Sequence, residues 1–440
     1  MQKRIFMKKY CSKSTNFSME THFSMQKYFV AILAIAASSF SALNAQTTPL
    51  PTVHDGCINQ NGILVRPDGT PCVNTIVTAL PFLRIVSDAR SGAMGDAGLA
   101  IAPDANSMHF NPSKLVFAEK DMGISATYTP WLRALGLQDV YLAYLSGYKA
   151  IDKRQAVGMS VRYFSLGEIQ YTDDAGASLG SDRPNEFELA LAYSRKLSPN
   201  FSGGLTMKYL YSRLASGQSV NGNIITAYNG VAADLSCTYK KVLTLNDRKA
   251  NLMIAGAIHN VGPKVSYTNA GDEQSKDFIP TNLGVGGALD MQIDDFNSFT
   301  VTADVNKLLV PTPTTTDADK NRIPDYKAQN FVGGMISSFG DAPNGFQEEM
   351  TEIMYSIGAE YWYDKQFAVR AGYYYEDQNK GNRKFLTVGL GLRYNVFGLN
   401  FSYLVPTTQQ RNPLDNTLRF SLLFDFGALN DDDAGKKKTK

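Results

Sequence analysis

What this chain of 440 residues lacks narrows its class before any motif is read. Charged residues are only 19% of it and the formal net charge is +2, so no basic surface speaks for nucleic acid. Histidine and cysteine number 4 each. Beyond a leader described below, only His54, His109 and His259 remain, too scattered to complete a four-ligand zinc set with the cysteines. After residue 45 no stretch approaches the ~20 consecutive apolar residues of a transmembrane helix. A chain without such helices crosses a bilayer only as a closed barrel, whose strands satisfy one another's backbone groups.

What is abundant suits that solution. The 23 Tyr, 24 Phe and 36 Gly favour strands, tight turns and interfacial aromatic girdles over helices. A mean hydropathy of −0.21 does not oppose a membrane barrel, because its lumen face is polar.

The start reads as a secretory signal. Lys27 precedes the apolar run Tyr28–Ala37, then SSFSALNA with a cut expected after Ala45; Met25 serves equally as the start. We therefore divide the chain into a signal (1–45), a periplasmic tether (46–80), a lumenal hatch (81–120), a transmembrane barrel (121–426) and a charged, solvated tail (427–440). In the tether, Cys57 and Cys72 bracket a Gly/Asn/Pro-rich loop. Export to an oxidising compartment favours a disulfide there, the alternative being two free thiols.

Period-two alternation recurs from Met122 onward. Val157, Met159, Val161 and Tyr163 oppose Gly158, Ser160 and Arg162; Phe187, Leu189, Leu191 and Tyr193 oppose Glu186, Glu188, Ala190 and Ala192. One face of each strand is oily and ends in aromatics, while the other is small or charged, as a lipid-facing exterior and a packed lumen require. Strands are expected near 122–130, 139–147, 156–165, 186–196, 201–213, 228–240, 251–260, 281–291, 297–307, 353–363, 366–376, 385–395, 398–405 and 417–426. The fold class is thus all-β, a 14-stranded antiparallel barrel with an N-terminal lumenal plug. Tight connections such as Lys196–Asn200 alternate with long ones such as Leu166–Asn185, Val261–Pro280 and Leu308–Thr351; short turns belong to the periplasm and long loops to the outside. A short helix is expected within Asn344–Met354.

The stretch Pro81–Leu115 is crowded with small residues, among them Gly92 and Gly95, and closes on Asn111-Pro112, which suits tight packing inside a lumen. Its Arg84, Asp88, Arg90 and Asp96 are offered as partners for inward charges of both signs: Arg162, Glu188, Lys208, Asp234, Asp304, Glu360, Arg370, Arg393, Arg419 and Asp425. Cys237 falls on the oily face.

Catalytic patterns are weak. Gly176–Gly180 matches G-x-S-x-G but sits in a polar loop, where the strand–turn–helix elbow that gives the motif meaning is not expected. Asp104, Ser107 and His109 are neighbours in sequence, whereas a triad is defined by geometry. No enzyme activity is expected. Asp317, Asp319, Asn321, Ile323 and Asp325 space oxygen ligands two residues apart, as calcium loops do. Arg322 in place of the turn glycine, and Ala328 where a closing Glu would stand, depart from the EF-hand, so a plain acidic loop is the alternative. In the same long connection Phe331, Met335, Ile336, Phe339 and Phe346 are too apolar for a purely solvated loop. They either dock a partner or fold the loop over the barrel mouth.

DANSMHFNPSKL, just before the first strand, resembles the hatch signature of FadL-like fatty-acid-transporter barrels, which have fourteen strands. HNVGPKVSY, FIPTNLGVGGAL, SSFGDAPNGFQEE, VRAGYYYE and NPLDNTLRFSLLF together resemble one branch of it, the PorV (LptO) outer-membrane family of the type IX secretion system of Bacteroidetes, over about Leu80–Phe426. The tail after the last aromatic strand departs from the usual terminal Phe of such barrels. The resemblance implies a barrel in the outer membrane that receives secreted cargo by its C-terminal domain, associates with the translocon, and passes cargo to the sortase complex for attachment to lipopolysaccharide. The alternative is a FadL-type transporter of small hydrophobic molecules; a lipid-A-directed hydrolase would rest on Ser178 alone.

Mass mapping of periplasm-matured protein is expected to find Cys57 joined to Cys72, a link worth roughly 3 kcal/mol for a loop of about 15 residues. Recovery of both thiols free would overturn the pairing.

Overall fold

The computed structural model describes residues 74–427, apart from 133–135, 173–175, 177, 216–218, 221–222, 246–247, 269–275, 315, 322 and 408–415, together with the backbone of 58–60 and 63–65. The signal, most of the tether including Cys57 and Cys72, and the tail lie outside the described residues. Ile58–Gln60 and Ile63–Val65 pair as a small antiparallel hairpin between the two cysteine positions.

Alternation builds one closed antiparallel sheet in which every strand pairs with its sequence neighbours. Its strands are β1 (Met122–Pro130), β2 (Val140–Asp152), β3 (Gln155–Leu166), β4 (Asn185–Lys196), β5 (Phe201–Arg213), β6 (Tyr228–Leu245), β7 (Arg248–Val261), β8 (Asn282–Gln292), β9 (Asn297–Leu308), β10 (Ile353–Tyr363), β11 (Phe367–Tyr375), β12 (Lys384–Tyr394), β13 (Phe397–Pro406) and β14 (Leu418–Phe426). β14 returns to β1, with Phe424 opposite Ile124 and Phe420 opposite Tyr128. Closure leaves no sheet edge, so every strand's backbone finds partners without water. Among the described residues no helix is long and apolar enough to cross a membrane.

All fourteen strands fall where alternation places them, but several run further. β2 continues to Asp152 and β6 to Leu245, because ladder pairing runs on to the tight turns, with Asp152 opposite Gln155 and Leu245 opposite Arg248. Long connections fold too: Ile169–Thr172 pairs with Ser178–Asp182, and Val265–Ser266 with Lys276–Asp277.

The faces separate by environment. Leu145, Met159, Leu191, Leu235, Ile357 and Leu390 point outward and exposed, and so does Cys237; Ser160, Arg162, Glu188, Asp234, Glu360 and Arg370 point inward and buried. At the long-loop end the outer surface carries a chain of rings, with Tyr141 5.6 Å from Tyr128 and 6.1 Å from Tyr163, and Phe187 5.9 Å from Tyr209. At the tight-turn end Phe397 packs 5.3 Å from Phe424, and Tyr193, Phe201 and Tyr239 are exposed at the same end of other strands. Two aromatic belts around an oily band are the mark of a barrel seated in a bilayer.

Residues 74–121 fill the lumen. They carry four short helical turns, Pro81–Arg84, Ala89–Gly92, Ser107–Phe110 and Pro112–Phe117, and lead directly into β1. The last residues of the segment 46–80 bond to connections between strands. The Asn74 amide donates to the Asn379 carbonyl in the β11–β12 connection, and the Ala79 amide to Phe278 in the β7–β8 connection. Both connections lie at the end of the barrel opposite the tight turns, so residues 74–80 sit at that end.

Candidate functional site

The hatch is joined to the wall by charge. Asp88 caps the turn Ala89–Gly92 by accepting the Ser91 amide at 2.9 Å, which aims Arg90 at β10. Arg90 grips Glu360 with two parallel bonds of 2.9 and 2.7 Å, and Glu360 accepts a further 2.6 Å bond from Arg370 on β11. Arg90 also donates to the Ala102 carbonyl, and Arg370 to Asn400. A two-pronged guanidinium–carboxylate pair fixes orientation as well as charge.

Other hatch residues meet the wall through a close backbone approach and through bonds to backbone groups. Gly95 adopts φ +67, and a Cβ there would lie 2.5 Å from the Tyr373 carbonyl oxygen. Opposite it, a Cβ on Gly372 would lie 2.1 Å from the Gly95 nitrogen, so hatch and wall each surrender a side chain to the same contact. The Asp304 carboxylate accepts the Gly98 and Leu99 amides at 2.7 and 2.9 Å. Asn111 donates to Leu99 O and Thr238 Oγ1, Pro112 O accepts from Ser194, and Ser113 O from Ser202.

Of the four hatch charges expected to meet wall charges, Arg90 does so fully. Arg84 pairs at 3.2 Å with Glu376, one residue beyond the end of β11. Asp96 comes only within 3.8 Å of Arg419, too far for a hydrogen bond, because Arg419 lies against Gly92. Asp88 has no wall cation; its role is the helix cap, and burial together with Asp104 pushes its carboxyl up to about 6. The inward set pairs within itself: Lys208–Asp234 at 2.8 Å, Arg162–Glu188 at 3.8 Å and Arg393–Asp425 at 3.9 Å.

The residues of the two sequence patterns lie apart from each other, one in the hatch and one in an outer hairpin. His109 faces Arg162 and is held well below the ordinary histidine value by burial and that guanidinium, so its Nδ1 accepts the Arg162 bond. Ser107 Oγ accepts the Asp104 amide. Ser178 begins a strand of an exposed hairpin, bonded by Gln170, rather than standing at a strand–helix elbow.

A cavity of about 110 Å³ remains between hatch and wall, bordered by Arg84, Asp96, His109, Lys208, Asp304 and Arg383 as well as by Leu99 and Phe110.

The outer rim is dominated by residues 309–352. This loop is anchored: Lys307 binds Glu349 and Glu352 at 3.0 and 2.5 Å, Lys380 binds Glu348 and Glu352 at 2.5 and 3.0 Å, and Thr312 donates to Glu352. Three short helices, Asp325–Ala328, Phe331–Ser337 and Phe346–Thr351, ride on these anchors, the last inside the stretch expected to be helical. Ile336, Phe339 and Phe346 are exposed, whereas Phe331 and Met335 are half-buried, their helix being seated through Gly334 against Phe278 and Pro311. Val332 and Met350 are also exposed. They precede Ile336 and follow Phe346 by four residues, and that helical spacing was the available signal for both.

Asp317, Asp319 and Asp325 bring carboxylate oxygens within 4.8 Å of one another. Asn321 folds into the same turn, its amide bonding Asp319 and its side-chain oxygen accepting the Ile323 amide.

A family model described as "Type IX secretion system protein PorV" matches residues 70–315, more than half of the chain. No curated protein matches it. Among solved structures, the Ralstonia pickettii toluene transporter TbuX is similar with a TM-score of 0.45 and 11% identity, over 78% of this chain and 100% of that one. The Pseudomonas putida toluene transporter TodX (0.45, 12%, 78% and 99%) and a Pseudomonas aeruginosa FadL homologue (0.40, 13%, 77% and 98%) are alike in the same measure.

Glu360→Ala leaves two buried guanidiniums without their carboxylate, a loss of about 3–5 kcal/mol. That variant, and deletion of Ser91–Ala102, are expected to open measurable conductance in planar bilayers while the barrel keeps its heat-modifiable mobility. Variants as closed as wild type would show that the plug does not seal the lumen.

Proposed function

Because the chain belongs to the family of the type IX secretion system protein PorV and is an outer-membrane barrel of that system, we propose that it receives secreted proteins by their C-terminal domains at its outer rim. It passes them from the translocon to the surface-attachment sortase complex and is not itself a conduit or an enzyme. The apolar surface of the anchored outer loop carries this reading: Phe346 is 78% exposed, Ile336 71% and Phe339 57%, at the end opposite the tight turns. Apolar side chains held out by a rigid, ion-paired base lower their free energy only by meeting a partner. The β7–β8 connection (262–281) supports the seat through Phe278 and belongs to the same docking face.

The contents of the lumen weigh against transport of small hydrophobic molecules. Such a solute would have to displace the hatch and strip water from Arg84, Asp96, Lys208 and Asp304 around a cavity of about 110 Å³, each desolvation being costly. In the same loop we assign Asp317, Asp319 and Asp325, with Asn321 and Ile323 completing the turn, as a weak calcium site that would stiffen its tip.

Two experiments follow. Joint replacement of Ile336, Phe339 and Phe346 by Ser is expected to leave barrel abundance normal while cargo release falls roughly tenfold, equivalent to about 1.4 kcal/mol of docking energy, with cargo held in the periplasm. Gly/Ser linkers in place of 308–329 and 331–346 should act likewise, and normal secretion from all of these would sink the docking role. Calorimetry with calcium chloride is expected to give a weak binding heat that Asp319→Ala abolishes; identical traces would remove the metal site.

A further inference from the structure

Within the membrane the sheet has no free edge, but at the tight-turn end β6 outruns its neighbour on one side. Its ladder with β5 stops at Tyr239 opposite Phe201, whereas its ladder with β7 runs on to Leu245 opposite Arg248. Residues 240–245 therefore extend past the last β5 pair, a reach of roughly 20 Å along the strand. The β4–β5 turn covers only the first step. There the Lys240 amide donates to Asn200 O at 2.7 Å, and Asn200 Nδ2 donates to Lys240 O at 2.7 Å. Backbone groups of alternate residues point to the same side of a strand, so those of Val242 and Thr244 aim where β5 would have continued. Among the described residues no backbone group meets them on that side. Val242 is 59% exposed.

Cations flank this edge on both faces. Lys196 and Lys240 continue the lumen-facing rows of their strands and lie 5.0 and 5.9 Å from the Phe117 ring. Lys249, opposite Thr244, falls on the same face, and Lys241 and Arg248 fall on the other. Lys241, Arg248 and Lys249 are exposed, and among the described residues none of these five cations is paired with a carboxylate. On either side, Asp152 in the β2–β3 turn accepts from the Arg154 amide and Gln155, and Asp294 in the β8–β9 turn from the Phe296 amide and Asn297.

An open strand edge needs alternating donors and acceptors, and the charges beside it need carboxylates. We propose that residues 240–244 of β6 accept, as an added strand, an extended acidic segment of a periplasmic protein, whose carboxylates pair with Lys240, Lys241 and Lys249. Anionic lipid headgroups fit less well. They would meet only the cations of the outer face, and they offer no ladder to Val242 and Thr244. The proposal uses the periplasmic placement of the tight turns and is independent of what the outer loop binds.

The probe is a short fluorescein-labelled peptide of alternating Glu and Val, added to the full-length barrel in detergent and followed by anisotropy. It is expected to bind, while a Lys/Val peptide of the same length does not. Joint Lys240→Glu and Lys241→Glu should weaken binding roughly tenfold. Val242→Pro should do the same, because it removes a donor on the open side and leaves the β7 ladder intact; Val242→Thr should bind as wild type. Heat-modifiable mobility checks folding. A barrel that does not bind the acidic peptide overturns the proposal, the lysines then serving only to guard the edge against pairing. Binding that survives Val242→Pro also overturns it, since charge alone would then account for the affinity. Should Val242→Pro fail to fold, the unaltered barrel is titrated with two Glu/Val peptides N-methylated at alternate amides, one in each register. Loss of binding by one of them supports an added strand, and equal binding by both overturns it.

Discussion

The structure turns on one buried carboxylate. Glu360 sits on the inner wall between a guanidinium of the hatch and a guanidinium of the neighbouring strand, and all three groups are almost wholly removed from solvent. None is tolerable there alone, since an unpaired charge in a dry, confined interior costs several kcal/mol. The pairing therefore ties the position of a mobile-looking, small-residue segment to the register of β10 and β11. Once Arg90 is fixed, Met94 and Gly95 are pressed against Gly358 and Gly372, and Asp304 is within reach of the Gly98 and Leu99 amides.

A lumen closed in this way divides the labour of the molecule. The strands hold an oily band in the membrane, the hatch and inward charges seal the interior, and specific recognition is left to the rim. There the acidic cluster Glu348, Glu349 and Glu352 plays the part at the mouth that Glu360 plays within. It binds Lys307 from the wall and Lys380 from the neighbouring connection, so that a loop of some forty residues presents short helices on a fixed base. Ion pairs below and apolar side chains above make a surface that is stable yet unsatisfied.

Most of the wall was legible in the sequence, because each position on a membrane strand answers to only two environments. Val157 and Met159 could face only lipid, and Arg162 and Glu188 only the lumen, so alternation alone located fourteen strands and the inward charges. The plug was recognisable by its small residues and by Arg90. Its detailed partners were not, since Asp88 answers to a local helix cap and Arg419 to the backbone at Gly92, and neither contact leaves a periodic trace. The direction of the plug was invisible for the same reason: it depends on which ends of β9, β10 and β11 meet in space. Val332 was overlooked because its part of the loop was read as irregular, and Met350 although a helix was expected around it; each stands four residues from another exposed apolar side chain on a short helix.

The hatch also bears on the seam of the barrel. It runs without interruption into β1, while its Ala89 amide bonds Ser421 of β14, whose hydroxyl in turn bonds Thr127 of β1. One hydroxyl thus serves two joints at once, the first strand to the last and the plug to both. Loosening the turn at Ala89 removes a bond from the very place where the sheet closes on itself, so plug and seam reinforce each other.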